Sequence, residues 1–400
     1  MIKFLKKIIN FRIDFTLLKK KQIIIYGERD YNLLEKHYFQ GYTSYVISLD
    51  KRSYNFYLIL YLITRFYKKE SKILLKKLFS GNFKFKDYIL FLLEVTKPKL
   101  FFTFLDNYQE FWEISHYAKC KSMIFQNGWR TIKNDVWENL EPRANKFNVD
   151  YILTWTDSIQ KIYKDQISGN FITVGSFKNN HFKITNPVKK NILYISQYRD
   201  IRPWKKKKYF QDNSFGYIEN LPEERLFPLL KRYLDNNQFS LNIILTKPRF
   251  KKNNERSYTD EMETNYYKEN FNNIKLNFII NKGDEEAYEA IDRSQLVIFI
   301  DSSLGYEALA RKSKTISLPK RLDTTDANFG WPHYFEKKGP FWSGDLFPSF
   351  EELSKLIDDN LNKDSEIWIK EFEKELKNLC YYDPDNSLFR NTIKEIIINN

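Results

Sequence analysis

Apolar residues in this chain fall into short continuous runs separated by longer stretches with helical spacing. In the first half the runs are Gln22–Gly27, Tyr45–Leu49, Lys99–Phe104, Ser122–Gln126, Tyr151–Thr154 and Ile172–Gly175. A short apolar run closed by turn residues is what a strand buried on both faces requires. Gly27, Asp106-Asn107 and Asn127-Gly128 supply such closures. Strands of this kind alternating with helices predict a parallel, doubly wound sheet.

The polar stretch Lys178–Lys190, which contains Pro187, reads as a link, and the pattern restarts beyond it. Asn191–Ser196, Leu241–Leu245, Leu296–Ile300 and Thr315–Leu318 read as strands. Pro222–Leu234, Gly283–Arg293 and Tyr306–Arg311 read as helices, the first with Glu223 and Glu224 where they suit the helix dipole. The expected organisation is α/β: a Rossmann-like domain over 1–185, a second over 186–365, and a helical tail over 366–400 that packs outside or crosses back onto the first half. A length of 400 residues agrees with more than one core.

Composition changes this picture little. Hydrophobic residues make up 42%, enough for two cores and unlike a disordered chain. A net charge of +14 favours anionic partners without choosing among nucleic acid, acidic lipid and phosphorylated small molecules. Cys120 and Cys380 can form neither a zinc cluster nor a secreted disulfide framework, so a cytoplasmic setting is expected. The charges scattered through residues 1–21 interrupt any signal-peptide core, and no run reaches the length of a membrane span. That segment reads as a basic amphipathic helix, with Ile2, Leu5, Ile8 and Ile9 near one face, either on anionic lipid at the inner membrane or simply on the surface.

The richest chemistry lies in Asp301-Ser302-Ser303-Leu304-Gly305-Tyr306-Glu307-Ala308, directly after an apolar strand. A helix starting at a sheet's carboxyl edge offers N–H groups and a positive dipole end to a phosphate. Ser302 and Ser303 add hydroxyl donors, and Gly305 permits close backbone approach. A plain N-cap role for Ser303 is the competing reading.

This octapeptide resembles the donor-phosphate element in the second domain of GT-B glycosyltransferases that build bacterial surface polysaccharides. Its double serine is similar to the serine motif with which sialyltransferases and Kdo transferases hold the phosphate of a CMP-sugar. Three more segments resemble the same surface-carbohydrate proteins: Phe104–Asn107 with Phe125–Arg130, Ile192–Asp200, and Phe329–Pro332 with Gly339–Trp342. The likeness spans Leu105 to Trp342 as islands. Where CMP-sugar transferases carry a His-Pro pair, this chain has Lys247-Pro248, whose ammonium can pair with phosphate as a point charge but cannot act as a neutral imidazole.

The resemblance implies a GT-B fold, two Rossmann-like domains whose parallel sheets face one another across a cleft. It implies a nucleotide-sugar-dependent glycosyltransferase without metal or cofactor, moving a sugar from a nucleotide-sugar donor to a glycan or lipid-linked glycan acceptor in capsule or lipopolysaccharide assembly. A CMP-activated Kdo or similar nonulosonate is the leading donor. Ser302, Ser303, Leu304, Gly305, Lys247 and Pro248 are the expected nucleotide-phosphate residues, and Asn107, Gln126, Asn127, Gly128 and Arg130 the expected acceptor or sugar residues. Transfer needs a carboxylate at the anomeric carbon. Asp200 and Asp106, each past the end of a predicted strand, are the catalytic candidates, ranked above Asp212.

Other chemistries have little support. The four histidines lack metal-ligand spacing, and Asp383-Pro384-Asp385 reads as a turn. No P-loop or GxGxxG fingerprint appears. Lys205–Lys208 reads as a solvated run or an anion-steering one. Two alternatives to a transferase stay open: a non-catalytic basic module for nucleic acid or anionic membrane, and a sugar-nucleotide epimerase. The lysines are dispersed and form no stripe beside stacking aromatics, so no nucleic-acid partner is expected.

Overall fold

A computed structural model of the chain describes residues 12–17, 21–49, 53–65, 67–80, 82–130, 140–185, 191–198, 222–246, 260–280, 284–300, 302–318 and 348–399. Asp200, Asp212, Lys205–Lys208, Lys247, Pro248, Asp301 and both aromatic segments between Phe329 and Trp342 lie outside the described residues.

Thirteen strands are described: β1 (Arg12–Asp14), β2 (Ile23–Tyr26), β3 (Ser44–Ile47), β4 (Ser53–Asn55), β5 (Leu100–Thr103), β6 (Lys121–Phe125), β7 (Phe147–Thr154), β8 (Ile167–Thr173), β9 (Ile192–Ile195), β10 (Leu241–Ile244), β11 (Leu276–Ile279), β12 (Leu296–Phe299) and β13 (Thr315–Ser317). A six-stranded sheet runs in the order β3-β2-β5-β6-β7-β8 and a five-stranded sheet in the order β11-β10-β9-β12-β13. Every pairing in both is parallel. The architecture is GT-B: two Rossmann-like α/β domains.

The central strands are buried on both faces, which is why they read as unbroken apolar runs. Successive residues still alternate between two cores. In the first domain Ile24, Phe101, Ile124 and Ile152 face one side, and Ile25, Phe102, Met123 and Leu153 the other. In the second domain Ile192, Ile243 and Ile298 face one side, and Leu193, Ile244 and Val297 the other.

The tail divides between the two domains. Its helix Ser365–Leu379 places Trp368, Leu376 and Leu379 in the core beneath Val297 and Phe299. The helix Ser387–Asn399 places Phe389, Ile393, Ile396 and Ile397 in the core beneath Ile23 and Phe102. The segment between them, Asp383-Pro384-Asp385, enters a short 3-10 helix over Pro384–Asn386, and the Asp383 carboxylate accepts from the Leu388 N–H at 2.8 Å. The link is gripped too. Buried Arg311 pairs with Asp292 at 2.7 Å and donates to the carbonyls of Phe182 and Lys183, each at 2.9 Å.

One expectation for the N-terminal segment is corrected. Arg12–Asp14 is a strand, paired in parallel with β4, and so is not part of a helix reaching Lys21. The Asp14 carboxylate holds it there, accepting from the Tyr45 hydroxyl at 2.7 Å. Among the described residues no helix is long and apolar enough to cross a membrane.

Candidate functional site

Each main sheet reverses its strand order once, between β2 and β5 in the first and between β9 and β12 in the second. Loops leaving such a point part in opposite directions and open a crevice at the carboxyl edge, where ligands of open α/β sheets bind. The serine turn follows β12 and so sits at the second reversal.

The helix that follows covers Ser303–Ala310, starting earlier than the sequence pattern suggests. Ser302, with an extended backbone, is its N-cap and accepts from the Leu304 N–H at 3.3 Å. The cap role therefore belongs to Ser302 and leaves Ser303 for another partner. That partner comes from the first domain: the Ser303 hydroxyl accepts from the Trp129 N–H at 3.0 Å. Having accepted there, the hydroxyl has its own proton to donate. The Trp129 indole stacks on Tyr306 of the same helix, with ring centroids 4.3 Å apart and planes 12° apart.

The two expected half-sites are thus one surface. A side chain on Gly128 would put its Cβ 3.2 Å from the Ser303 hydroxyl, so the Asn-Gly turn and the serine turn are in contact. Gly305 has a different reason from the one expected. A Cβ there would lie 2.2 Å from the Phe299 ring, so the missing side chain makes room for the sheet rather than for a ligand.

Beneath this contact lies a cavity of about 330 Å³, within the range of small-molecule sites. From the first domain it is lined by Arg29, Asp30, Gln126, Asn127, Gly128 and Arg130, and from the second by Asp284, Tyr288, Ser303, Leu304 and Glu307. A hollow of about 590 Å³ beside the Ser365–Leu379 helix is larger, but it lies away from both sheet reversals and is mostly apolar. Chemistry favours the smaller one.

Two expected roles change here. Asp106 is wholly buried, and its carboxylate is taken up. It accepts from Arg130 Nε at 2.8 Å and Nη2 at 2.6 Å, from the Tyr163 hydroxyl at 2.5 Å, and from the Asn127 N–H at 3.3 Å. A carboxylate so enclosed does not reach an anomeric carbon, which corrects its reading as a catalytic carboxylate. Arg130 spends its planar fork on that carboxylate and not on a ligand anion. Its Nη2 also donates to Asn127 Oδ1 at 2.9 Å, while the Asn127 amide donates to the Phe104 carbonyl at 2.6 Å. Gln126 is likewise structural, accepting from the Trp155 N–H and donating to the Gly128 carbonyl. Asn107 is half-buried and does not line the cavity.

Three carboxyl groups line the cavity: Asp30 and Asp284 face Lys178, and Glu307 lies one helical turn beyond Ser303. It accepts from the Ser176 hydroxyl of the first domain and from the Tyr288 hydroxyl at 2.9 Å. Burial raises its pKa, and the Ser176 and Tyr288 bonds only partly offset this. Across the opening, Lys178 forms ion pairs with Asp30 at 2.8 Å and Asp284 at 2.9 Å, linking the domains. Burial alone lowers the Lys178 pKa, but the Asp30 and Asp284 carboxylates outweigh it and hold the ammonium charged over a wider range. Among the described residues no cluster of His, Cys, Asp and Glu suits a metal ion. Glu307 belongs to the serine motif but its role there is not marked by local spacing; Arg29, Lys178, Asp284 and Tyr288 meet only through the fold.

A second buried carboxyl lies at the ends of β9 and β10. Glu263 accepts from the Ser196 hydroxyl at 2.5 Å and the Thr246 N–H at 3.0 Å. Burial dominates and pushes its pKa up to about 7. This group ties down the loop root that leads to Lys247.

The family model described as "putative O-antigen biosynthesis protein" matches residues 123–397, more than half of the chain. The chain belongs to that family. Compared with curated proteins, it has no match in sequence. Among solved structures it is similar to a "putative UDP-N-acetylglucosamine 2-epimerase" from Listeria monocytogenes, with a TM-score of 0.53 and 12% identity over 96% of this chain and 98% of that one. It is similar as well to S. aureus MnaA in a co-structure with UDP, with a TM-score of 0.51 and 12% identity over 94% and 97%. A third is the wall teichoic acid polymerase TagF, with a TM-score of 0.50 and 11% identity over 96% and 90%. At such identities the likeness is one of fold, and that fold is GT-B. Family members' shared region begins inside β6, so it takes in the Asn-Gly turn and the serine turn together.

Proposed function

We propose that this O-antigen-family chain is a glycosyltransferase that takes a sugar from a nucleotide-sugar donor and adds it to a surface-polysaccharide acceptor. One observation carries the reading: the serine turn lies at the strand-order reversal of the second sheet, against a cavity closed by the first domain. Phosphate of the leaving nucleotide would rest on the Ser302 and Ser303 hydroxyls and the positive helix end. Charge developing on that leaving group is what donors already held in place stabilise best. Arg29 lines the same cavity, where Lys178 is engaged by Asp30 and Asp284, and Lys247 and Pro248, outside the described residues, are assigned to the same phosphate by sequence alone.

Glu307 is the carboxyl we assign to the donor sugar or the incoming hydroxyl, since Asp106 is enclosed. Asp200 remains the second candidate, from its position after β9 in the sequence. For the donor we favour a CMP-activated acidic sugar such as Kdo, on the double serine. An epimerase acting on a sugar nucleotide is the second reading, favoured by the fold shared with the Listeria protein.

The test is a thermal-shift and calorimetric panel of CMP, CDP, UDP and GDP, followed by the matching sugar nucleotides. The transferase reading expects one nucleotide to stabilise the chain, and sugar to move only when a glycan acceptor is present. Interconversion of the sugar nucleotide without acceptor supports the epimerase instead. No stabilisation by any nucleotide contradicts both.

A further inference from the structure

A helix that is apolar all round belongs inside a protein or against another apolar phase. The helix Phe56–Thr64 (FYLILYLIT) is such a helix, and only half of it is covered. Asn55 caps its start, accepting from the Leu58 N–H at 3.2 Å, and Leu58 and Leu62 point into the first-domain core. The opposite face carries Phe56, Tyr57, Leu60 and Ile63, exposed by 38%, 43%, 47% and 51%. Among the described residues, eight of the thirteen most exposed large apolar side chains lie between Phe15 and Ile73. They lie on or beside β1, the helix Phe56–Thr64 and the helix Lys69–Ser80. Pairing of β1 with β4 brings Phe15 to Phe56, ring centroids 5.2 Å apart, and the next helix, Lys69–Ser80, packs against Phe56–Thr64 with Tyr67 just before it and Ile73 on it. Exposed apolar side chains concentrated in this way mark interaction surfaces.

The charge around the patch chooses its partner. Residues 53–80 hold six Lys or Arg and one acidic residue, Glu70. Lys68, Lys72 and Lys76 are exposed beside Tyr67 and Ile73. A second copy docking through the same patch would bring lysine against lysine, because a two-fold contact is self-complementary. The N-terminal residues 1–11 carry Lys3, Lys6 and Lys7 and no acid, so their charge has the same sign as the lysines beside the patch. An apolar face rimmed by lysines instead matches an anionic bilayer, whose acyl boundary takes the side chains and whose headgroups take the cations.

We propose that Phe56–Thr64 and the lysine-rich helix after it dock the first domain on an anionic membrane surface. The inference is independent of the donor nucleotide. It places the contact on a folded helix face, where the sequence alone pointed to residues 1–21.

The test is flotation of the full chain with vesicles of phosphatidylcholine, with and without phosphatidylglycerol. The wild-type chain is expected to float with the phosphatidylglycerol vesicles and to be released by salt. Leu60→Glu with Ile63→Glu should cut recovery by roughly tenfold or more with an unchanged melting temperature, since both positions are exposed. Lys68→Glu with Lys72→Glu and Lys76→Glu should remove the preference for phosphatidylglycerol while the apolar face stays intact. Equal recovery of the wild type and the Leu60/Ile63 variant would overturn the proposal, as would loss of binding only when residues 1–11 are removed. A wild-type dimer in sedimentation velocity, broken by the same two substitutions and indifferent to vesicles, would overturn it in favour of self-association.

Discussion

Two buried carboxyl groups, one from each domain, stand near the cleft and have opposite fates. Asp106 lies at the edge of the first sheet with a guanidinium fork, a phenol and a backbone N–H on its oxygens. Glu307 lies behind the serine turn with two hydroxyls, one from each domain, and borders the cavity. A buried carboxylate matched by an opposite charge is satisfied and becomes part of the scaffold. One held by neutral donors keeps its pKa raised and its bonds exchangeable, which is what a ligand-facing group needs. The sequence placed Asp106 in the catalytic role because it follows a strand. Its partner decides otherwise, and that partner is 24 residues away.

Breaking the Asp106 pair should have the largest effect. Asp106→Ala leaves the Arg130 guanidinium, 12% exposed, without its counter-charge. Such a loss costs about 3–5 kcal/mol, to be read in denaturant unfolding. A loss under about 1 kcal/mol would show that the pair is not structural. Glu307→Gln should reverse the balance. Stability should change by no more than about 1 kcal/mol, while sugar transfer falls on the order of a hundredfold. The sign of its pH dependence follows from burial. Because the folded-state pKa lies above the ordinary 4.5, the folded chain keeps the Glu307 proton longer than the unfolded chain as pH rises. Stability therefore falls as pH climbs through the interval above 4.5, and Glu307→Gln should remove that part of the fall. Unfolding curves of both forms across that interval check it.

Most of the fold was legible because both central sheets are buried on two faces, so runs such as Ile23–Tyr26 and Leu296–Phe299 are apolar without interruption. Two short peripheral strands were not. The strand β11 (LNFI) is only half-buried and carries Asn277, so it gives no such run, and three-residue β1 is stabilised by Asp14, Tyr45 and Asn55 rather than by its own pattern. At the site, the serine turn and the Asn-Gly turn were each legible as strand endings, but their contact was not. Trp129 meets Ser303 across 174 residues, and nothing in local spacing encodes that approach. Arg29, Lys178 and Asp284 were missed for the same reason, since each looks like an ordinary surface charge until the domains are brought together.

The central claim is that the serine turn binds the nucleotide's phosphate, and calorimetry of the stabilising nucleotide against Ser303→Ala and the Ser302→Ala/Ser303→Ala double variant tests it most directly. Loss of a hydroxyl bond to a charged phosphate should weaken binding by roughly tenfold for the single change and further for the double one, with both variants folded. Affinity equal to that of the wild-type chain would mean that the two serines only cap the helix and meet Trp129, and that the phosphate sits elsewhere.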